Sequence, residues 1–251
     1  MSIFRRPRLT GRALHFMLDR YLGAKADSED SPPVNHVISA GTHCYAAFAL
    51  KQLGLKKYSL PFDWTFSSLA MVADCLNDDF AKFLDAKYYS KIAEAGDQIA
   101  SNACDHLYYR DRYGITAVFN HHNPAENAQA RLYLSRCVAR FRHVLKSPGR
   151  KLFIAVAEEV RARSEDFVRL AEKIDAVTEN AELLVIRVPS KPSDRYNSMG
   201  VIAHQRHNAH CLLHMNATSK IGPTSFDSPF DDLVVRRVIQ SYSYDLRRLQ
   251  A

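Results

Sequence analysis

Three features of this sequence predict an α/β fold, a mostly parallel sheet with helices on both faces. Short β-branched runs such as VNHVISAG (34–41), KLFIAVAEE (151–159) and AELLVIRVPS (181–190) read as buried strands, the last two with apolar cores such as LFIAVA and LLVI that suit strands covered on both faces. Longer segments with apolar residues at helical spacing lie between them. The two kinds of segment alternate, the order that joins parallel strands through helical crossovers.

Taken in chain order, residues 10–22 have the spacing of an amphipathic helix, and the polar, proline-bearing GAKADSEDSPP (23–33) follows as a linker. Residues 1–33 are therefore expected to form an N-terminal helical appendage, and 34–251 one α/β domain. The domain opens with the strand 34–41, stopped by Gly41. HCYAAFALKQLG (43–54) then has helical spacing and ends at Gly54, a residue suited to the left-handed turn that closes a helix. Strand, tight turn and helix in that order put Cys44 in the first helical turn.

Residues 67–95 are expected to be helical, with a break at DDF (78–80), and YGITAVFNHHNP (113–124) to be a short strand ending at His121 and His122. AENAQARLYLSRCVARFRHVLKS (125–147) makes a long basic helix with Leu132, Val138, Phe141 and Leu145 on its apolar face. After the strand at 151–159, SEDFVRLAEKIDAVTEN (164–180) is a helix with Ser164 as its N-cap. The strand at 181–190 follows. HCLLHMNA (210–217) is expected as a last strand and DDLVVRRVIQSYSYDLRRL (231–249) as a C-terminal helix.

Composition narrows the function classes. With 47% hydrophobic and 24% charged residues, the 251-residue chain can bury a substantial core, so disorder is not the expectation. Its net charge of +7 is scattered in Arg/Lys pairs and in terminal segments, not gathered into an aromatic-interleaved stripe, which argues against a nucleic-acid partner. The five cysteines are odd in number, widely spaced and without a CxxC pair, the pattern of a reducing compartment. No apolar run is long enough to span a membrane and the N-terminal segment carries charge in each turn, so a soluble, cytoplasmic protein is expected. Neither GxxxxGK[ST] nor GxGxxG occurs, and no cofactor is expected.

Four residues are candidates for chemistry. A thiol at the carboxyl end of a strand, entering a helix, meets unpaired backbone N–H groups and the positive end of the helix dipole; both favour a thiolate and can hold an oxyanion near His43 to Tyr45. The competing reading makes Cys44 a small buried hydrophobe. His121 and His122 close a strand at the same sheet edge, where one imidazole can polarise the thiol. Asp63, between Phe62 and Trp64, can orient that imidazole, or make a local turn bond while the two aromatics anchor the loop in the core. His204, His207, His210 and His214 invite a metal reading, but a strand around Cys211 would scatter their rings, so no metal site is expected.

The segment ISAGTHCYAAFALKQLGLKKYSLPFDW (38–64) resembles the opening signature of a bacterial family, DUF1796, described as papain-like cysteine peptidases. The matching positions are Gly41, Cys44, Gly54, Leu55, Ser59, Pro61, Phe62, Asp63 and Trp64. VFNHHNP (118–124) is similar to that family's histidine segment, with the histidine at His121 and with His122 where an aspartate is common. The resemblance runs over residues 35–157. It implies a hydrolase in which Cys44 attacks a carbonyl while His121 serves as base and then proton donor, acting on a peptide, a small molecule or a saccharide-linked substrate. Gly-x-x-Cys after a first strand is also similar to the GSCFA relatives of the SGNH hydrolases, which implies acyl-ester or thioester chemistry. Two other readings are a non-catalytic module in which PFDW and His121 line a pocket, and nucleic-acid association through the helix at 131–146.

Overall fold

The computed structural model of the chain describes residues 31–92, 101–192 and 200–246. The helix expected at 10–22 lies outside them. A five-stranded sheet organises the rest, in the order β1 (Val34–Ser39), β4 (Arg150–Glu158), β5 (Ala181–Val188), β7 (His210–Asn216) and β6 (Gly200–His207). The first four are mutually parallel, and β6 runs antiparallel to β7 at the edge. The α/β prediction holds in this mixed, mostly parallel form.

Strand pleating divides the core in two. In β4, Leu152, Ile154 and Val156 point to one face, where α1 (Tyr45–Gln52) and α6 (Pro229–Gln240) pack. Phe153, Ala155 and Ala157 point to the other, against α2 (Leu69–Asn77), α4 (Ala128–Lys146) and α5 (Ser164–Val177). β5 alternates likewise, with Leu184 and Ile186 on the first face and Leu183 and Val185 on the second. Complete burial of each such side chain contributes about 1.5–3 kcal/mol, so sliding a strand by one residue would forfeit both layers. The Tyr45 hydroxyl donates to Asp232 Oδ1 at 2.8 Å and ties α1 to α6.

Helix ends follow local chemistry. The α4 N-terminus is capped by Asn127, whose side chain accepts from Gln129 N and Ala130 N, and Ser68 caps α2 by accepting from Met71 N. Gly54 lies just past α1 at φ +71°, and Leu55 N donates back to Leu50 O at 2.9 Å, closing the helix as foreseen. In α5 the cap position belongs to Arg163, and Ser164 is the first helical residue, a one-residue displacement from expectation.

Larger departures occur where tertiary burial overrides local pattern. The helix expected from 67 starts at Leu69 and breaks at DDF as foreseen, but no α-helix follows it within the described residues up to 92. It stops at Asn77, and Asp79 and Phe80 take positive φ, turning Phe80 and Phe83 into an aromatic cluster with Phe62 and Phe141. After a 3-10 turn at Ala86–Tyr88, β2 (Tyr89–Lys91) pairs with β3 (Cys104–His106), which leads directly into α3 (Leu107–Tyr113). These short elements leave no periodic trace in sequence.

The strand expected at 113–124 is a loop held by a single bridge, Phe119 to Cys104, with Asp105 Oδ1 accepting from Ala117 N at 2.6 Å. The long α4 is present, but Leu132 is 51% exposed; Leu134, Cys137, Val138, Phe141 and Val144 form its buried stripe, with Leu145 half-buried. Three of its arginines hold neighbouring loops: Arg131 donates to Pro124 O, Arg140 to Ser59 O and Arg142 to Asp79. The last helix starts at Pro229 and ends at Gln240, where Ser241 terminates it. The chain then turns back to lay Tyr244 beside Val34 of β1.

Candidate active site

The carboxyl ends of β1, β4, β5 and β7 share one edge of the sheet, and the turn from β1 into α1 lies there. Gly41, at φ +83°, permits that turn: a Cβ there would lie 2.1 Å from Ser67 Oγ, and left-handed backbone is costly for other residues. Thr42 fixes the next step, with its hydroxyl donating to Val156 O and its carbonyl accepting from Ser67 N at 2.8 Å. Cys44 follows at the N-cap of α1.

Opposite it stands His121. Cys44 Sγ and His121 Nε2 are 3.2 Å apart, though 77 residues separate them in sequence. The His121 backbone is held by Asn102, whose Nδ2 donates to its carbonyl at 2.9 Å, and its ring meets Trp64 edge to face with centroids 6.1 Å apart. His121 is exposed and Trp64 half-buried, whereas Cys44 is only 1% exposed, so a substrate reaches the thiol only when a neighbouring side chain moves aside.

The other two sequence candidates lie apart from this pair. Asp63 is buried and bonded to Lys56 Nζ and, at 2.7 Å, to Leu60 N; among the described residues its carboxylate makes no bond to His121. The orienting role considered for Asp63 thus gives way to the local one, because the loop closes on itself before the acid can reach the imidazole. Phe62 anchors that loop at zero exposure, as foreseen, but Trp64 turns out to be a wall of the dyad. His122 points toward α4 and lies over Tyr133, centroids 4.4 Å apart. Burial, with His121 beside it, lowers its pKa.

Proton placement also departs from the sequence reading. Burial pushes the Cys44 thiol up to about 11, with the Asp63 carboxylate adding to the rise and a backbone N–H bond opposing it. Desolvation outweighs the end of a helix only eight residues long. At pH 7 Cys44 therefore rests as a thiol, within hydrogen-bond distance of His121 Nε2. Alkylation of Cys44 by iodoacetamide is accordingly expected to accelerate with pH from about 7 to about 10, because the thiolate fraction rises tenfold per unit below the thiol pKa. A plateau below about pH 8, the mark of a preformed thiolate, would contradict this placement.

His43 plays a part the sequence did not suggest. Its Nδ1 accepts from Tyr45 N at 3.3 Å, engaging one of the amides expected to hold an oxyanion. Its proton must therefore sit on Nε2, which is buried without a partner among the described residues. Burial and nearby Arg161 lower its pKa to about 4, leaving it neutral at pH 7. Of the four histidines of the C-terminal third, His210 spans Leu183 N and Asp175 and His214 meets Arg187, while on β6 His204 is exposed and His207 half-buried. Among the described residues no three metal-ligating side chains converge, and no helix is long and apolar enough to cross a membrane.

Comparisons with known proteins bear on this site. Residues 35–188, more than half of the chain, match the model of the family described as "Putative papain-like cysteine peptidase (DUF1796)". The chain is also similar to an uncharacterized protein of Acanthamoeba polyphaga mimivirus, 26% identical over a 152-residue alignment that covers 55% of this chain and 68% of the viral one. No solved structure matches.

Proposed function

Because this chain belongs to the DUF1796 family of papain-like cysteine peptidases, we propose that it is a thiol-dependent hydrolase in which Cys44 is the nucleophile and His121 the general base. The observation that carries this reading is the 3.2 Å approach of Cys44 Sγ to His121 Nε2 at the carboxyl edge of a parallel sheet, where α/β proteins bind ligands.

Chemistry follows from the protonated thiol. As sulfur attacks the carbonyl carbon of a peptide, ester or other acyl substrate, its proton passes to His121 Nε2, and the carbonyl π electrons move onto oxygen. Free amides in the first turn of α1, together with the positive end of that helix, face the developing charge. Collapse expels the leaving group, which takes the proton back from His121 and leaves Cys44 as a thioester. Water then attacks the thioester, again giving its proton to His121, and releases the acid and the thiol.

Among the described residues no carboxylate bonds the imidazole; Trp64 packs edge to face on its ring, and Asn102 holds its backbone carbonyl. A neutral thiol attacks slowly unless the proton moves with the bond, so the reading makes His121 necessary near neutral pH, where little thiolate is present.

Rapid mixing with 4-nitrophenyl acetate, followed by mass spectrometry, tests the reading. The expected result is a burst of 4-nitrophenolate and an acetyl group on the Cys44 peptide, both absent from His121→Ala. Acetylation spread evenly over Cys44, Cys75 and Cys137 would defeat it.

A further inference from the structure

Beside the Cys44 and His121 pair lies a cavity of about 330 Å3 that the proposed chemistry does not use. It is built from the same sheet edge. Glu158 ends β4 and Arg161 follows it, Ser190 follows β5, and Lys220 follows β7. Two segments belong to both places: His43 lines the cavity while Cys44 holds the thiol, and Phe66 lines it while Trp64 packs on His121. Cys44 and His121 do not line the cavity, so a substrate bonded to Cys44 would reach it by extending past His43 and Phe66.

Three of its donors, on Arg161, Lys220 and His43, have unspent capacity, although Glu158 in the same lining partly offsets the Arg161 charge. Arg161 is half-buried and spends one Nη1 bond on Ser67 O at 3.1 Å; among the described residues no carboxylate forms an ion pair with its guanidinium. Lys220 likewise has no ion pair among the described residues, and His43 Nε2 presents a buried hydrogen without an acceptor. Glu158 is the one carboxylate in the lining, so with His43 neutral the fixed charges are two positive and one negative. Burial holds the Arg161 pKa below its usual value, which reflects a cation stripped of water without full compensation.

We infer that this cavity is a subsite for an anionic group of the substrate, a carboxylate or a phosphate, held by Arg161 and Lys220. A guanidinium offers a planar fork of donors matched to either oxyanion, and its remaining N–H groups are available for that purpose. The volume admits a short acidic chain or a phosphate rather than a folded partner. The inference rests on the reading of Cys44 and His121 given above, and it makes the proposed hydrolase selective for acidic acyl substrates.

Hydrolysis of 4-nitrophenyl hydrogen glutarate and of neutral 4-nitrophenyl valerate should be compared in wild type, Arg161→Met and Lys220→Glu. The wild type should favour the glutarate ester by at least about tenfold in kcat/KM, mainly through KM, and each substitution should remove most of that preference. Equal rates for the two esters in the wild type, or a preference retained in both variants, would overturn the subsite. A parallel calorimetric titration with free glutarate and with inorganic phosphate separates carboxylate from phosphate recognition.

The titration also separates this inference from the hydrolase reading. If neither ester turns over but one anion binds the wild type and is weakened about tenfold or more by either substitution, the subsite stands and the hydrolase reading falls. If neither anion binds, the subsite falls whatever the esters do.

Discussion

Cys44→Ala should lower kcat/KM for an acyl substrate by on the order of 10⁴-fold, and His121→Ala by roughly 10²- to 10⁴-fold. The two losses should not add. Sulfur and imidazole act in one proton transfer across 3.2 Å, so removing the base from an enzyme that already lacks its nucleophile costs little more. Steady-state kinetics on the two single variants and the double variant make this check. A multiplicative double variant would mean that the two residues act in separate steps, and the dyad reading would fail.

His121→Ala should also lose its rate by a fall in kcat rather than a rise in KM, because the imidazole handles the proton rather than holding the acyl group. The pH dependence has a definite sign. With the thiol pushed up to about 11, rising pH cannot rescue His121→Ala near neutrality by supplying thiolate. Partial recovery should begin only above about pH 9, where the thiolate fraction becomes appreciable.

Lys56→Ala should destabilise the protein by about 3–5 kcal/mol at pH 7, a large part of the stability of an ordinary domain. The Lys56 and Asp63 side chains are 12% and 2% exposed, so the substitution leaves a carboxylate in the interior with the Leu60 amide as its remaining bond. Lys56 also donates to Tyr58 O at 2.6 Å, and the loop it braces carries Trp64 to His121.

The pH dependence of that loss follows from burial. Desolvation raises the Asp63 pKa in the folded chain even with Lys56 present, so from the ordinary carboxylate range up to the raised value the folded state binds more protons than the unfolded one. Stability from this group is greatest below the unfolded pKa and declines as pH rises through the folded one. Removing the cation widens the window. Urea titrations at pH 7 and pH 5 should therefore show Lys56→Ala recovering part of its loss at the lower pH, and adding Asp63→Asn should recover part of it at pH 7. A loss below about 1 kcal/mol would place the pair among exposed ion pairs that contribute little.

Residue pattern exposed much of this molecule. The apolar runs of β4 and β5 are legible because strands buried on both faces admit almost nothing else, and Gly54 marks the end of α1 because left-handed backbone favours glycine. Cys44 could be singled out because it opens a helix after a legible strand, and His121 because of its place in VFNHHNP, although the strand expected to end there is a loop. Arg161, by contrast, follows a strand whose apolar pattern says nothing of what comes next, and Asn102 lies in a stretch without periodicity. His43 looked incidental beside Cys44 until its ring nitrogen proved to cap Tyr45.

By itself, then, the sequence determined the alternation of strands and helices, the turn that carries Cys44 and the residue types available for chemistry, because these depend on contacts within a few residues. Tertiary structure alone decided that Asp63 pairs with Lys56 while His121 meets Cys44, that the thiol rests protonated, and that Arg161 and Lys220 share a cavity with His43. The physical reason is that desolvation and charge depend on which distant segments come together, and sequence spacing does not encode that.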